Sequence, residues 1–504
     1  MTIVRQQILQ ILPVLLKRPT NNASTAVRML HGVSWQVMVM PITRALTFSI
    51  AVLQARFLGK TGYGELGMAL STLTLFNLFA TGAAGNTCTK FIAEFRLSDP
   101  ERAQRICGVS LQATSLLAVA ASVVCYVLAP HLSTGLLHNP SLTGLLRLCA
   151  IALIIQTLEG TLTGILYGFQ SFRSASVATT IQVATWLPFT WFFTPRLGPF
   201  GALLAFTLSH LVCVVGLGLA TFRELKAAQF HIRWNDAWKE ASVLWEYSLP
   251  MILHGLVCVP TLWATNALLA RQPGGYSQLG AYNAAFQFRT AVIQVPMMLQ
   301  GIAMPFLSEM SGARNAQRFA RLFDHLMRIS GVVGLMAATG VSIFGRPLMQ
   351  LFGHEFRTDS AMLAVVMAVA TTSLLSSLAG AALQASGVVW SALWANLFYA
   401  TASILLAWLL VPHLLGMGLA ISFVISTCLQ AFLLLHLLSR QIHAVRVWPH
   451  AIVGILSTSL ICALAFPAIY LKVVCVAAVM AALCMARIPN MICKLRDHSA
   501  LASV

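Results

Sequence analysis

Charge is what this chain has least of: among 504 residues only 9% are Asp, Glu, Lys or Arg, and the acids number 14. A soluble protein of this size needs a charged surface. A chain that is 58% hydrophobic with a mean hydropathy of +0.80 must instead use the bilayer as solvent. Long hydrophilic connections are missing too, none exceeding about twenty residues, which leaves no room for a folded domain outside the membrane. The chain contains no GxxxxGK[ST], HExxH or GxSxG, the signatures of ATP hydrolysis, zinc proteolysis and acyl transfer. Its eleven cysteines form no CxxC and lie within or at the ends of apolar segments, so they read as small buried hydrophobes. No catalytic constellation, metal site or cofactor is expected. The apolar patch Ile8 to Leu16 is interrupted by Pro13, followed by Lys17 and Arg18, and lacks a small-x-small cleavage site, so it reads as an interfacial amphipathic helix.

What the chain has in abundance is apolar runs. A spanning helix needs about 20 mostly apolar residues, and about fourteen such stretches recur. Spans 1 to 6 fall at about 31–57, 66–91, 106–128, 142–169, 175–193 and 201–222, and spans 7 to 12 at about 243–270, 279–306, 329–352, 360–385, 388–411 and 416–438. Spans 13 and 14 follow at about 451–471 and 473–486. The net charge of +18 tracks this layout and not a nucleic-acid surface. With span 1 entering from the cytoplasm, 22 of the 32 Lys and Arg fall in inner segments, seven in outer turns and three inside spans. Both termini are therefore expected in the cytoplasm.

The stretch Ala55 to Gly85 holds a short glycine-bearing turn between two apolar segments, and its core Gly62-Tyr63-x-x-Leu66-Gly67 returns as Gly275-Tyr276-x-x-Leu279-Gly280. Two further pairs keep nearly the same offset: Gly164 to Ser171 with Gly380 to Gly387, and Gly201 to Ser209 with Gly418 to Ser426. Offsets of 213, 216 and 217 residues mark a duplication. Each unit has an even number of spans, so the halves enter from the same side as a parallel repeat, which places a substrate site between two lobes. The expected organisation is all-α and polytopic: a cytoplasmic segment 1–28, an N-lobe 29–222, a cytoplasmic linker 223–242, a C-lobe 243–440, and a terminal helix pair within 441–504. The linker, with Trp234 and Trp238, reads as an interfacial helix, Ser311 to Arg328 as a second basic linker, and the repeated turn as a register mark that binds nothing.

Ionisable groups inside a bilayer are costly, about 2.5–3.5 kcal/mol for Arg on insertion scales, so each is a candidate. Arg44 and Arg289 lie deep in spans 1 and 8 and suit a cationic cavity, the alternative being structural pairing. Arg147, one turn into span 4, can line that cavity or snorkel outward, and Lys90 can meet a phosphate or simply set topology. Glu159 is the only acid well inside a span. It is either an ion-coupling site or a structural salt bridge with an arginine of another helix, Arg147 being too distant on its own helix. The buried His210 and His254 read as structural. Pro41, Pro250, Pro260 and Pro296 remove backbone bonds and are candidate hinges. Gly160-xxx-Gly164-xxx-Gly168 is a close-packing stripe. Two arginines against one acid point to an anionic cargo, since guanidinium binds phosphate bidentately.

The turn Ala55-Arg56-Phe57-Leu58-Gly59-x-x-Gly62-Tyr63-Gly64-x-Leu66-Gly67, followed by a helix and Lys90-Phe91-Ile92-Ala93-Glu94, resembles the polysaccharide transporter family of the multidrug/oligosaccharidyl-lipid/polysaccharide exporter superfamily. These are the O-antigen and exopolysaccharide repeat-unit flippases. The resemblance extends over the whole length through size and span number. It implies a two-lobe transporter in the bacterial inner membrane that carries an undecaprenyl-diphosphate-linked oligosaccharide to the periplasmic leaflet. It also implies contact with membrane lipid and with polymerase and chain-length proteins of the same pathway, and a cationic cavity that Arg44 and Arg289 would fit. The lower charge of spans 1 and 2 favours a polysaccharide precursor over the peptidoglycan one. The alternatives are a multidrug extrusion antiporter, which would carry acids in its cavity, and a polysaccharide polymerase or ligase, which would carry a large outer loop.

Overall fold

The computed structural model describes residues 25–81, 84–242, 249–312 and 316–442. The N-terminal amphipathic patch and spans 13 and 14 lie outside these residues. Among the described residues every regular element is helical: α1 (Thr25–Thr81), α2 (Ala84–Phe95), α3 (Pro100–Pro130), α4 (Leu142–Gly168), α5 (Phe172–Ala227), α6 (Leu249–Ala270), α7 (Gly275–Gly312), α8 (Ala316–Ile343), α9 (Gly345–Gln350), α10 (Ser360–Ala385) and α11 (Val389–Gln441). Seven continuous helical stretches among them are long and apolar enough to cross a membrane.

Three of these helices are too long for one crossing. At 1.5 Å per residue, 50 or more residues reach about 75 Å, against a hydrocarbon core of about 30 Å. Each is broken once: α1 at Gly59, α5 at Gly198 and α11 at Leu415. The backbone values at Gly198 (φ 58, ψ −140) and Leu415 (φ 49, ψ −129) match the first central residue of a type II′ turn. Chain reversal follows: Gln182 meets His210 and Trp186 meets Phe206 across the break in α5, and Gln430 donates to Asn396 at 2.8 Å across that in α11. The expected spans 5 with 6 and 11 with 12 are thus hairpins within single helical runs.

Eight of the nine described residues with positive φ recur in pairs. Gly59 and Gly274, His138 and Gly353, Gln170 and Gly387, and Gly198 and Leu415 all have positive φ, at separations of 215, 215, 217 and 217 residues.

The chain divides into two compact units, Met1–Leu58 with Ala69–Val259, and Gly59–Met68 with Pro260–Val504. In the first, α4 is central and packs on α2, α3 and α5. Its glycine stripe is what admits α2: a Cβ on Gly164 would strike the Gly85 backbone, and one on Gly168 would lie 2.7 Å from the Ile92 Cβ. Thr89 Oγ1 donates to the Gly164 carbonyl at 3.1 Å. Lipid tails are as apolar as leucine, so close backbone approach and such interhelical hydrogen bonds replace hydrophobic drive. The lipid-facing side of α3 shows in exposed Leu116, Val119, Val123 and Val127 at helical spacing.

In the second unit α10 is central, against α7, α8 and α11. The expected basic linker 311–328 is instead largely helix. Phe319, Phe323 and Met327 bury one face of α8 while Arg318 and Arg321 stay on the other. Its amphipathic period made it read as a connection, and the helix ends at Ile343, well before the expected 352. On α11, exposed Trp390 and Trp408 are 18 residues apart, about 27 Å of helix, the spacing of aromatic belts at two bilayer interfaces.

The 223–242 linker differs as well. α5 runs to Ala227, Gln229 turns the chain at φ 50, and only one 3₁₀ turn (Ala237–Glu240) follows. Charge holds it to the start of α3: Arg105 Nη2 lies 3.1 Å and Arg102 Nε 3.2 Å from Glu240, and Arg233 pairs with Glu101 at 2.9 Å. Trp234 and Trp238 are half exposed, as residues at an interface are.

Candidate functional site

In the first unit, three successive helical segments each place one polar residue at the same level: Glu159 on α4, and Gln182 and His210 on the two arms of α5. His210 Nδ1 lies 2.5 Å from Glu159 Oε2, and His210 Nε2 lies 3.2 Å from Gln182 Nε2. Cys213, one turn on from His210, is within electrostatic reach of the Glu159 carboxylate, and the Phe206 ring lies tilted against the imidazole with centroids 4.2 Å apart. The partner of Glu159 is therefore a histidine, not the arginine that the salt-bridge alternative called for. The reason is geometric: the hairpin at Gly198 brings His210 back to α4, while Arg147 sits three turns away along it. The Glu159 and His210 side chains are 20% and 14% exposed, so the pair is neither sealed nor free in solvent. Toward α1, Asn77 exchanges contacts with Gln156 (3.4 Å) and Thr157 (3.5 Å).

Arg44 is exposed on α1 and has no ion pair among the described residues. Arg147 is also exposed, with its guanidinium over the Tyr126 ring at 5.1 Å, and Lys90 is exposed over Phe91 at 4.7 Å. No ion pair or hydrogen bond joins Arg44, Arg147 and Glu159. An open cleft of about 780 Å³ lies between α1 and α5, lined by Leu53, Leu187, Phe189, Trp191, Phe192 and neighbours. No charged group lines it, so it suits a hydrocarbon chain and not a sugar or diphosphate.

In the second unit, Arg289 on α7 is half-buried. One Nη donates to Ser373 on α10 at 2.9 Å, the guanidinium lies 4.9 Å from the Phe286 centroid, and Tyr282 is within electrostatic reach. Its Nε is buried without a hydrogen-bond partner. A buried donor left open is costly, about 1–3 kcal/mol and more for a charged group, so this guanidinium has donors to spare for an anion. Pro41 and Pro260 lie inside α1 and α6, and Pro296 is buried within α7, all in continuous helix. Pro250 is the second residue of α6, and its side chain lies outside the described residues.

The repeated turn does more than mark register. Residues 59–68 belong to the second unit, where the two copies of the motif pack against each other reciprocally. A Cβ on Gly64 would strike the Tyr276 carbonyl, and one on Gly280 would strike the Lys60 carbonyl. Lys60 completes the tie: its Nζ pairs with Asp359 at 2.6 Å and its backbone N–H donates to Glu355 at 3.0 Å. Beneath it Tyr63 packs between Phe352 and Phe356.

A family model described as "Polysaccharide biosynthesis protein" matches residues 29–311, more than half of the chain. The chain belongs to this family. Within reach of this member are the EPS I polysaccharide export inner membrane proteins EpsE of Ralstonia nicotianae and Ralstonia solanacearum. The first is 25% identical over 357 residues, covering 69% of this chain and 79% of the relative, and the second 24% identical over 353 residues with the same coverage. Among solved structures, the family member superposes on the lipid II flippase MurJ in an inward closed conformation with a TM-score of 0.70 at 11% identity, covering 91% and 100% of the two chains. An inward-facing multidrug resistance MATE transporter of the MOP superfamily gives 0.68 at 15% identity, with 82% and 98% covered. A MOP superfamily transporter from Pyrococcus furiosus gives 0.62 at 16% identity, with 82% and 96% covered. At these identities the likeness is one of fold. The polysaccharide transporter resemblance and the MOP fold read from the sequence both hold.

Proposed function

We infer that this protein is a flippase that carries undecaprenyl-diphosphate-linked oligosaccharide repeat units from the cytoplasmic to the periplasmic leaflet of the bacterial inner membrane. The units feed O-antigen or exopolysaccharide synthesis, and transport proceeds by alternating access. The polysaccharide biosynthesis family match and the export proteins among its relatives support the substrate class. The recurrence of left-handed residues at 215 to 217 positions supports two parallel six-span repeats, with the last two spans outside them.

The observation that carries the reading is Arg289. Half-buried at mid-helix, it spends one donor on Ser373 and keeps its Nε free, the arrangement a diphosphate would complete bidentately. Arg44, Lys90 and Arg147 are proposed as further positive groups along the path, and Pro41, Pro250, Pro260 and Pro296 as the points where helices bend. A multidrug antiporter would need acids where this chain presents arginine. The test is surface polysaccharide in a strain lacking its own copy. At matched expression, Arg289→Ala abolishes the polymer and Arg289→Lys restores part of it; full polymer with the alanine variant removes Arg289 from the cavity.

A further inference from the structure

Glu159, His210 and Gln182 form a chain of three polar groups inside an apolar unit, and their geometry dictates a proton inventory. A carboxylate oxygen and an imidazole nitrogen cannot approach to 2.5 Å with two lone pairs facing each other, so a proton lies between Glu159 and His210 Nδ1. The other ring nitrogen decides the charge of the pair. With Gln182 presenting its amide NH₂ to Nε2 at 3.2 Å, Nε2 is bare, the imidazole is neutral and the pair carries the net −1 of Glu159. When the Gln182 amide turns over, its Oε1 accepts from a protonated Nε2, and the pair becomes an imidazolium beside a carboxylate with no net charge. The two amide orientations occupy the same space. One side-chain flip therefore accompanies the gain of one proton.

Among the described residues no other charge competes at this level. The face of α2 against α4 here is Gly85 and Thr89. The contacts of Ser122 with Ala150 and Cys125 with Leu146 set the register of α3, placing Ser110 to Leu116 opposite, without an ionisable residue. α1 offers Asn77 near Gln156. Among the described residues the further titratable neighbour is Cys213 on α5, within electrostatic reach of the Glu159 carboxylate.

We propose that Glu159, His210 and Gln182 are a proton-binding site of the first unit that takes up one proton at His210 Nε2. Gln182 is the positioning residue that accommodates both states, and the neutral and anionic forms are the two states a proton gradient can drive. The flippase reading enters only in what the proton is used for; the chemistry of the site stands apart from it. Among the described residues the equivalent level of the second unit shows no such pair: Thr427 shares a hydroxyl contact with Thr372 at 2.7 Å and accepts from Ser376 at its carbonyl at 3.3 Å.

The test is ¹⁵N spectroscopy of histidine-labelled full-length protein in lipid nanodiscs, titrated from about pH 8 to about pH 5, where an imidazole changes charge. His210→Gln assigns the signal. The expected result is one signal moving from a form with Nε2 bare to a form with both nitrogens protonated. In Glu159→Gln the doubly protonated form is lost, and in Gln182→Leu the transition moves along the pH axis while the Nδ1 proton stays. A His210 signal that keeps one form throughout, or that titrates identically in Glu159→Gln and Gln182→Leu, overturns the site. Surface polysaccharide measured in the same variants separates the two ideas. Export lost with Arg289→Ala while His210 does not titrate leaves the flippase and removes the proton site.

Discussion

The reciprocal docking of the two glycine turns can be challenged by adding one carbon. A Cβ on Gly64 would lie 2.8 Å from the Tyr276 carbonyl carbon and 3.0 Å from the Gly280 nitrogen, and a Cβ on Gly280 would lie 2.9 Å from the Lys60 carbonyl carbon. The nearest atoms, the carbonyl oxygens of Tyr276 and Lys60, would lie closer still to the two added carbons. Comfortable contacts are about 3.5–4.0 Å, so the backbones must separate by more than about 1 Å, and main chain cannot swing aside as a side chain does. Overpacking of this kind costs about 1–3 kcal/mol. Alanine at Gly331 or Gly340 of α8 provides the opposite control: nothing stands within 4 Å of the added carbon, and alanine in a helix gains about 0.5–1 kcal/mol over glycine. In thermal unfolding in detergent, followed by size-exclusion recovery, Gly64→Ala and Gly280→Ala lower the midpoint while the α8 variants hold or raise it. Once the turns have parted for one methyl there is room for the second, so the double variant costs less than the sum of the singles. Midpoints for Gly64→Ala and Gly280→Ala equal to or above wild type would refute the close approach.

Three further outcomes follow from contacts described above. Lys60→Ala strands the Asp359 carboxylate, which is 13% exposed, and costs about 3 kcal/mol in the same unfolding assay, whereas Lys60→Met with Asp359→Leu recovers most of it. Leu415→Gly relieves a leucine held at φ 49 and raises the midpoint, a net gain of about 1 kcal/mol after the extra freedom of the unfolded glycine is subtracted. Gly198→Ala, at the equivalent break, lowers it. Arg289→Ala removes surface polysaccharide and Arg289→Lys returns part of it, measured at equal protein level.

Much of the fold was legible because a bilayer imposes one length on every crossing. Leu142 and Gly168 bound α4 almost where the apolar run begins and ends, since Pro130 to Ser141 before it and Ser171 after it stop the helix. α8 was misread because Arg318, Arg321 and Arg328 look like a loop when counted, and only their spacing against Phe319, Phe323 and Met327 makes them one face of a helix. The partner of Glu159 could not be read, because pairing depends on the depth at which a hairpin returns. The available signal was weaker: one polar residue, Glu159, Gln182 or His210, near the middle of each of three consecutive spans. The left-handed backbone at Gln170 and Leu415 left no trace either, since neither residue is glycine; only their counterparts in the other half, Gly387 and Gly198, are glycines that mark such a turn.

The assignment of Gly59 to Met68 to the second unit has a consequence for biogenesis. When this turn leaves the ribosome, Tyr276, Gly280 and Asp359 do not yet exist. At about 5–20 residues per second, the roughly 200 residues still to come before the nearest of them take about 10–40 s. For that interval the Lys60 ammonium and the bare Gly64 backbone must wait unmatched at the end of an inserted helix pair. The first half is therefore finished only by the synthesis of the second, and a chain truncated in the linker after Ala227 would leave the turn without its dock.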